Sequence, residues 1–255
     1  GKPVYELLGG PVKPDIPVYA SALHPVGAEK VQAEAKAYVE EGYQAMKMRF
    51  PYGPGHGIAG MRANEEHVAN VRDAVGDDIE IMADAYMGWD FLYAKKMVKR
   101  LEPYRLAWLE EAFLPDDLNS YAKLRQETSI PISGGEHEYT RFGFQQIIEK
   151  QAMDIIQPDL RRCGGLSEGR RICSLALANG ITIIPHAYGP THIHFALAET
   201  AVPMIEYFPI PSWDDLPDAE VEPIFHDEPQ PQNGRVTAST KPGLGVTVNE
   251  RIFAD

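Results

Sequence analysis

Eight times along this chain a short apolar, β-prone run appears, and a segment with helical spacing follows all but the last. That alternation constrains the fold more than any other feature. The runs lie at 16–20, 45–50, 79–83, 106–109, 130–133, 154–157, 181–185 and 204–207. Between them, Val31, Ala35, Tyr38 and Val39 share one helical face that stops at Gly42. Val68, Val71 and Val75 share another, closed by Gly76, with Asn64 expected as its N-cap. Strands separated by helices of this length pair in parallel through right-handed crossovers. Eight such units close into an α/β barrel, and 255 residues suffice for one. Beyond Phe208 the chain turns rich in Pro, Asp and Gly. Residues 1–209 are therefore expected to form the barrel, and 210–255 an irregular C-terminal segment with a hairpin near Gly234.

In such a barrel the side chains at the carboxyl ends of the strands form the active site. Asp84, Glu110 and Glu136 end three consecutive strands at a constant interval of 26 residues. That interval is one strand–helix repeat, so the three carboxylates are expected at one height around one point. They repel one another unless a hard cation lies between them, and an all-oxygen donor set suits Mg²⁺ better than Zn²⁺. Taken singly, each acid would read as a helix cap or a solvated edge.

Asp159 and His186 end the next two strands, which are neighbours, and a carboxylate beside an imidazole fixes the tautomer a general base needs. Lys47 and Arg49 flank Met48 and so point to the same side of strand two, where two cations can hold a substrate carboxylate. Glu206 sits among Met204, Ile205 and Tyr207. It would serve either as a protonated hydrogen-bond donor or as a structural partner of Lys47. His24, His56, His137 and Tyr188 are further candidates to line the pocket.

Charge narrows the ligand classes. Acidic residues outnumber basic ones by 37 to 24, for a formal charge of −13, which argues against nucleic acid and anionic membrane surfaces. No apolar run approaches the length of a membrane span, and no signal peptide is visible, so a cytoplasmic location is expected. Cys163 and Cys173 show no metal or disulfide spacing and are expected as reduced thiols.

The runs KMRF, ADAYMGW, WLEEAF, SGGEHE, QPDLRRCGG, IPHAYG and IEYFP occur in an order that resembles the mandelate racemase subgroup of the enolase superfamily. Within it they look most like L-rhamnonate dehydratases and related acid-sugar dehydratases. The resemblance implies a TIM-like (β/α)₇β barrel with Mg²⁺ on Asp84, Glu110 and Glu136. It also implies an Asp159–His186 base and Glu206 as electrophilic partner, with Glu111 behind Glu110. The implied reaction abstracts the C2 proton of a sugar acid and eliminates the C3 hydroxyl to give a 2-keto-3-deoxy acid. Racemase, epimerase and cycloisomerase chemistry are the alternatives, together with a non-catalytic fragment. The family carries an N-terminal capping domain, which is expected to be absent here or to lie on another segment. The C-terminal segment would then pack on the barrel or on that cap, and an uncovered barrel face favours a homo-oligomer. Ala112 stands where the family usually has Pro.

Overall fold

The computed structural model describes residues 1–209 and 224–253, so the expected start of the tail at 210 lies outside the described residues. Its strands are β1 (Ile16–Ser21), β2 (Ala45–Arg49), β3 (Glu80–Asp84), β4 (Trp108–Glu110), β5 (Ile132–Gly134), β6 (Ile155–Ile156), β7 (Thr182–Ile183) and β8 (Ile205–Tyr207). They are hydrogen-bonded in the order β7-β6-β5-β4-β3-β2-β1-β8, all in parallel. This curled parallel sheet with helices between its strands is the α/β barrel architecture the sequence predicts. The two ends of the ladder, β7 and β8, leave a seam, bridged where the Ala187 amide donates to Glu206 Oε2 at 2.7 Å.

β6 and β7 are shorter than their apolar runs because Pro158 and Pro185 follow, and neither has an N–H to extend a ladder. The helix Gly57–Val75 begins earlier than expected. Asn64 therefore lies inside it as no cap; its buried amide donates to Tyr52 O at 2.9 Å and ties the helix to the loop after β2.

One large apolar core joins the sheet to its helices. A second, inside the barrel, consists of Tyr19, Ala45, Met82, Trp108 and Ile184. After residue 224 a tight turn at Asn233–Gly234, both with positive φ (52° and 65°), leads into β9 (Arg235–Val236), which pairs antiparallel with β1. This turn presses on Gly42, where a Cβ would stand 2.8 Å from Asn233 Cα. Among the described residues no helix is long and apolar enough to cross a membrane.

Candidate active site

Strand register sets the site. Ser21 pairs with Lys47, Arg49 with Asp84, and Asp84 with Glu110, while Tyr19 pairs with Glu206 around the other side of β1. Side chains at alternate positions share a face. Lys47, Asp84, Glu110, Asp159 and Glu206 are all buried at the carboxyl end of the barrel, with Glu136 beside them.

Lys47 Nζ lies 2.5 Å from Glu110 Oε1 and 2.9 Å from Glu206 Oε1. Burial alone would discharge this ammonium, but the two carboxylates outweigh it and hold its pKa well above the usual lysine range. The same pairing answers the question left open for Glu206. Burial works against its charge, yet Lys47, His186, Ser21 and the Ala187 amide lower its pKa, which favours an ionised partner of Lys47 over a protonated donor. Glu110 Oε2 accepts from Trp108 Nε1 at 2.9 Å and from Gln157 Nε2 at 2.8 Å.

Asp84 Oδ2 is 3.6 Å from Arg49 Nη1, and Arg49 Nη2 also donates to Ser21 Oγ at 3.2 Å. Burial and the neighbouring Glu110 nonetheless push the Asp84 carboxyl up to about 7. Glu136 accepts from Arg162 Nη1 at 3.1 Å, and its other oxygen lies 3.1 Å from His186 Nε2. His186 Nδ1 is 3.0 Å from Asp159 Oδ2, the expected dyad. Burial disfavours the charged imidazole, but Asp159, Glu206 and Glu136 reverse that and raise its pKa.

The strand-end residues pair as Glu110–Lys47–Glu206, Arg49–Asp84 and Asp159–His186–Glu136, and other side chains join them. Glu111 has a φ of +40°, leaves the strand alternation, and places Oε1 2.9 Å from His137 Nδ1. Its other oxygen is buried without a hydrogen-bond partner, and burial with Glu136 nearby pushes the carboxyl up to about 9. Among the described residues, the one group of three with ligand atoms within 4.8 Å of one another is Glu111, Glu136 and His137. The predicted trio shares only Glu136 with it, because Lys47 and Arg49 hold Glu110 and Asp84. The donor chemistry still fits a hard divalent cation. Asp84, Glu110, Glu111, Glu136, Asp159 and Glu206 crowd one end of the barrel, burial and mutual repulsion raise the Asp84 and Glu111 pKa values to about 7 and about 9, and Glu111 Oε2 is buried without a partner.

Gln157, Trp108 and Arg162 escaped the sequence reading, since amide, indole and loop guanidinium groups carry no spacing signal of their own. His56 is exposed on the loop after β2, and Tyr188 is half-buried with its hydroxyl on Pro229 O.

Comparison with known proteins adds a frame. A family model described as enolase C-terminal domain-like matches residues 30–252. The L-rhamnonate dehydratase of Saccharopolyspora erythraea is 36% identical over 98% of this chain and 62% of its own length. The 3,6-anhydro-D-galactonate cycloisomerase of Zobellia galactanivorans superposes with a TM-score of 0.84 at 30% identity, over 98% of this chain and 68% of that one. A racemase of Streptomyces coelicolor with bound magnesium gives a TM-score of 0.84 at 25% identity, over 98% and 65%. The chain thus spans about three fifths (62%) of the curated relative's length.

Proposed function

The chain belongs to the enolase C-terminal domain-like family, and from that premise we propose that it carries the catalytic barrel of a magnesium-dependent sugar-acid dehydratase. The observation that carries this reading is the setting of His186. Its Nδ1 is held by Asp159, while Nε2 faces Glu136 and, at 3.8 Å, Glu206, with Lys47 on the far side of Glu206.

Asp84, Glu110 and Glu136 would hold Mg²⁺, with Glu111 and His137 adjoining; bound there, the ion supplies electrophilic stabilisation of a substrate carboxylate. Lys47 and Arg49 bind that carboxylate and stabilise the negative charge that grows on it when the C2–H bond breaks. His186 Nε2 takes the C2 proton. The C2–C3 double bond then forms as the C3–O bond breaks, and the imidazolium returns its proton to the departing hydroxyl, releasing water. The resulting enol becomes a 2-keto-3-deoxy acid. Asp159 keeps the ring oriented and steadies its charged form.

Racemisation needs a base on each face of the carbon. The resemblance to the mandelate racemase subgroup implies a Lys as second base where this chain has Arg49, and Asp84 raises the Arg49 pKa despite burial, so the guanidinium keeps its proton. Incubation with Mg²⁺ and a panel of aldonates, with 2-keto acid as readout, tests the proposal. Formation of C2 epimers alone, or of a ring-opened or ring-closed isomer without loss of water, refutes it. Calorimetry that finds no Mg²⁺ uptake refutes the metal assignment.

A further inference from the structure

Between the ends of β7 and β8, beside the ring of charges, lies a cavity of about 360 Å³ whose lining includes Tyr188, His192, Tyr207 and Phe208. Phe208 joins it to the site, its ring centroid 6.4 Å from that of His186. His192 is 1% exposed, and its Nε2 has no hydrogen-bond partner; the nearest carboxylate atom, Asp159 Oδ1, is 3.8 Å away. A buried ring nitrogen in this condition calls for a partner from outside the fold.

The helix Pro190–Ala198 opens onto the same cavity, and a helix N-terminus ordinarily attracts an anion. Here the chain supplies its own. Gly189 has a φ of +133°, and a Cβ there would stand 3.3 Å from Glu228 Oε1, so that carboxylate faces the helix start. Arg161, also in the lining, is the cation that opposes it. Within the lining Glu228 and Arg161 offset each other, which leaves no surplus cation for a phosphate or second carboxylate.

The walls point to a neutral ligand instead. The Tyr188 and Tyr207 rings meet edge to face at 4.8 Å, and their hydroxyls are engaged by Pro229 O and Gln230 Oε1. They are thereby fixed as apolar surfaces, next to a free imidazole nitrogen, a carboxylate and a guanidinium. A few fixed polar groups among aromatic walls suit a ligand of alternating C–H and O–H groups.

We infer that this cavity binds a neutral polyhydroxylated group, the sugar or polyol portion of the substrate beyond its reacting carbons. The inference rests on the proposed sugar-acid chemistry for its link to turnover, but binding can be read by itself. Saturation-transfer NMR with the full chain and sorbitol should show transfer to sorbitol. Filling the cavity by Thr191→Trp should reduce it at least tenfold, and Glu228→Gln, a milder change, at least threefold. In turnover, the preference in kcat/KM for a six-carbon over a four-carbon aldonate should collapse in Thr191→Trp. No transfer in the parent protein, transfer in the variants equal to that in the parent, or an unchanged chain-length preference overturns the inference. If no acid is dehydrated at all, the proposed reaction falls while the NMR comparison still decides the cavity.

Discussion

On strand after strand, the side chain two residues before a charged site residue belongs to the apolar floor. Ala45 precedes Lys47, Met82 precedes Asp84, Trp108 precedes Glu110, and Ile184 precedes His186. One interior thus holds two layers a single strand period apart. The floor gains from burial. The layer above it concentrates carboxylates and cations whose desolvation is offset by each other and by donors such as Trp108, Gln157 and the Ala187 amide. The contrast teaches that the rigid lower layer fixes where strands end, while the upper layer spends that rigidity on charge that would not otherwise stay in place.

The hardest break of this comparison changes chemistry above without touching what lies beneath. His186→Asn keeps the volume roughly constant but removes the proton acceptor. If the dyad is the base, kcat for dehydration should fall about 10³- to 10⁴-fold. The melting temperature should change by only a few degrees. A loss below tenfold would remove His186 from the reaction.

Next in size is making the upper layer resemble the floor. Lys47→Met leaves Glu110 and Glu206 buried around a space without a cation, and removing one member of such a group costs about 3–5 kcal/mol. Denaturant melts should record that loss together with loss of activity. Lys47→Met combined with Glu206→Gln should recover a substantial part of the stability and none of the activity. Equal stability of the single and double variants would show that Glu206 and Lys47 are not energetically coupled.

How much of this was legible in the sequence follows from the same two layers. A strand has period two, so once Lys47 is placed inward, Ala45 and Arg49 follow. A barrel has a near-constant repeat, so Asp84, Glu110 and Glu136 announce themselves by their interval. Side chains that leave those periods could not be read. Glu111 reaches His137 through a positive-φ turn that no spacing encodes. Asn64 reads as a cap from its type alone, but the loop before it coils into the helix and carries it inward. His192, in the first turn of the helix Pro190–Ala198, is buried although no period in the sequence marks it as inward. Ionisation was the least legible property: Glu206 could be given a role from sequence but no protonation state, which depends on Lys47 approaching from the opposite side of β1.

A gentler test of the upper layer uses acid. Burial lowers the His192 pKa to about 4, against 6.5 for the free ring, so the folded protein holds it neutral while the unfolded chain takes up a proton below 6.5. The stability it secures is complete above pH 6.5 and declines as pH falls toward 4, by up to about 3 kcal/mol. His67 and His194, also lowered by burial, act with the same sign. His186 is raised and acts with the opposite sign, adding stability on the acid side that is lost as pH rises through its folded pKa. The melting temperature of His192→Gln should therefore fall less steeply than that of the parent between pH 6.5 and 4.5. Parallel curves would mean that His192 takes up its proton as readily in the fold as outside it.

The smallest expected effect lies on the boundary between the layers. Trp108 belongs to the floor, packed edge to face against Tyr19 with ring centroids 5.5 Å apart, yet its Nε1–H donates upward to Glu110 Oε2. Trp108→Phe keeps an aromatic ring in the floor and deletes the one donor that crosses into the charged layer. A hydrogen bond to a charged group contributes about 1.5–3 kcal/mol, and the smaller ring adds a modest packing loss. Gln157 Nε2 still holds the same oxygen, so the expected cost is near the lower end of that range. With one fewer donor, Glu110 should also bind Mg²⁺ more readily, and calorimetry should show a modestly lower Kd in the variant than in the parent. A drop in stability with unchanged Mg²⁺ affinity would confine Trp108 to packing and place the border between the two layers above the indole.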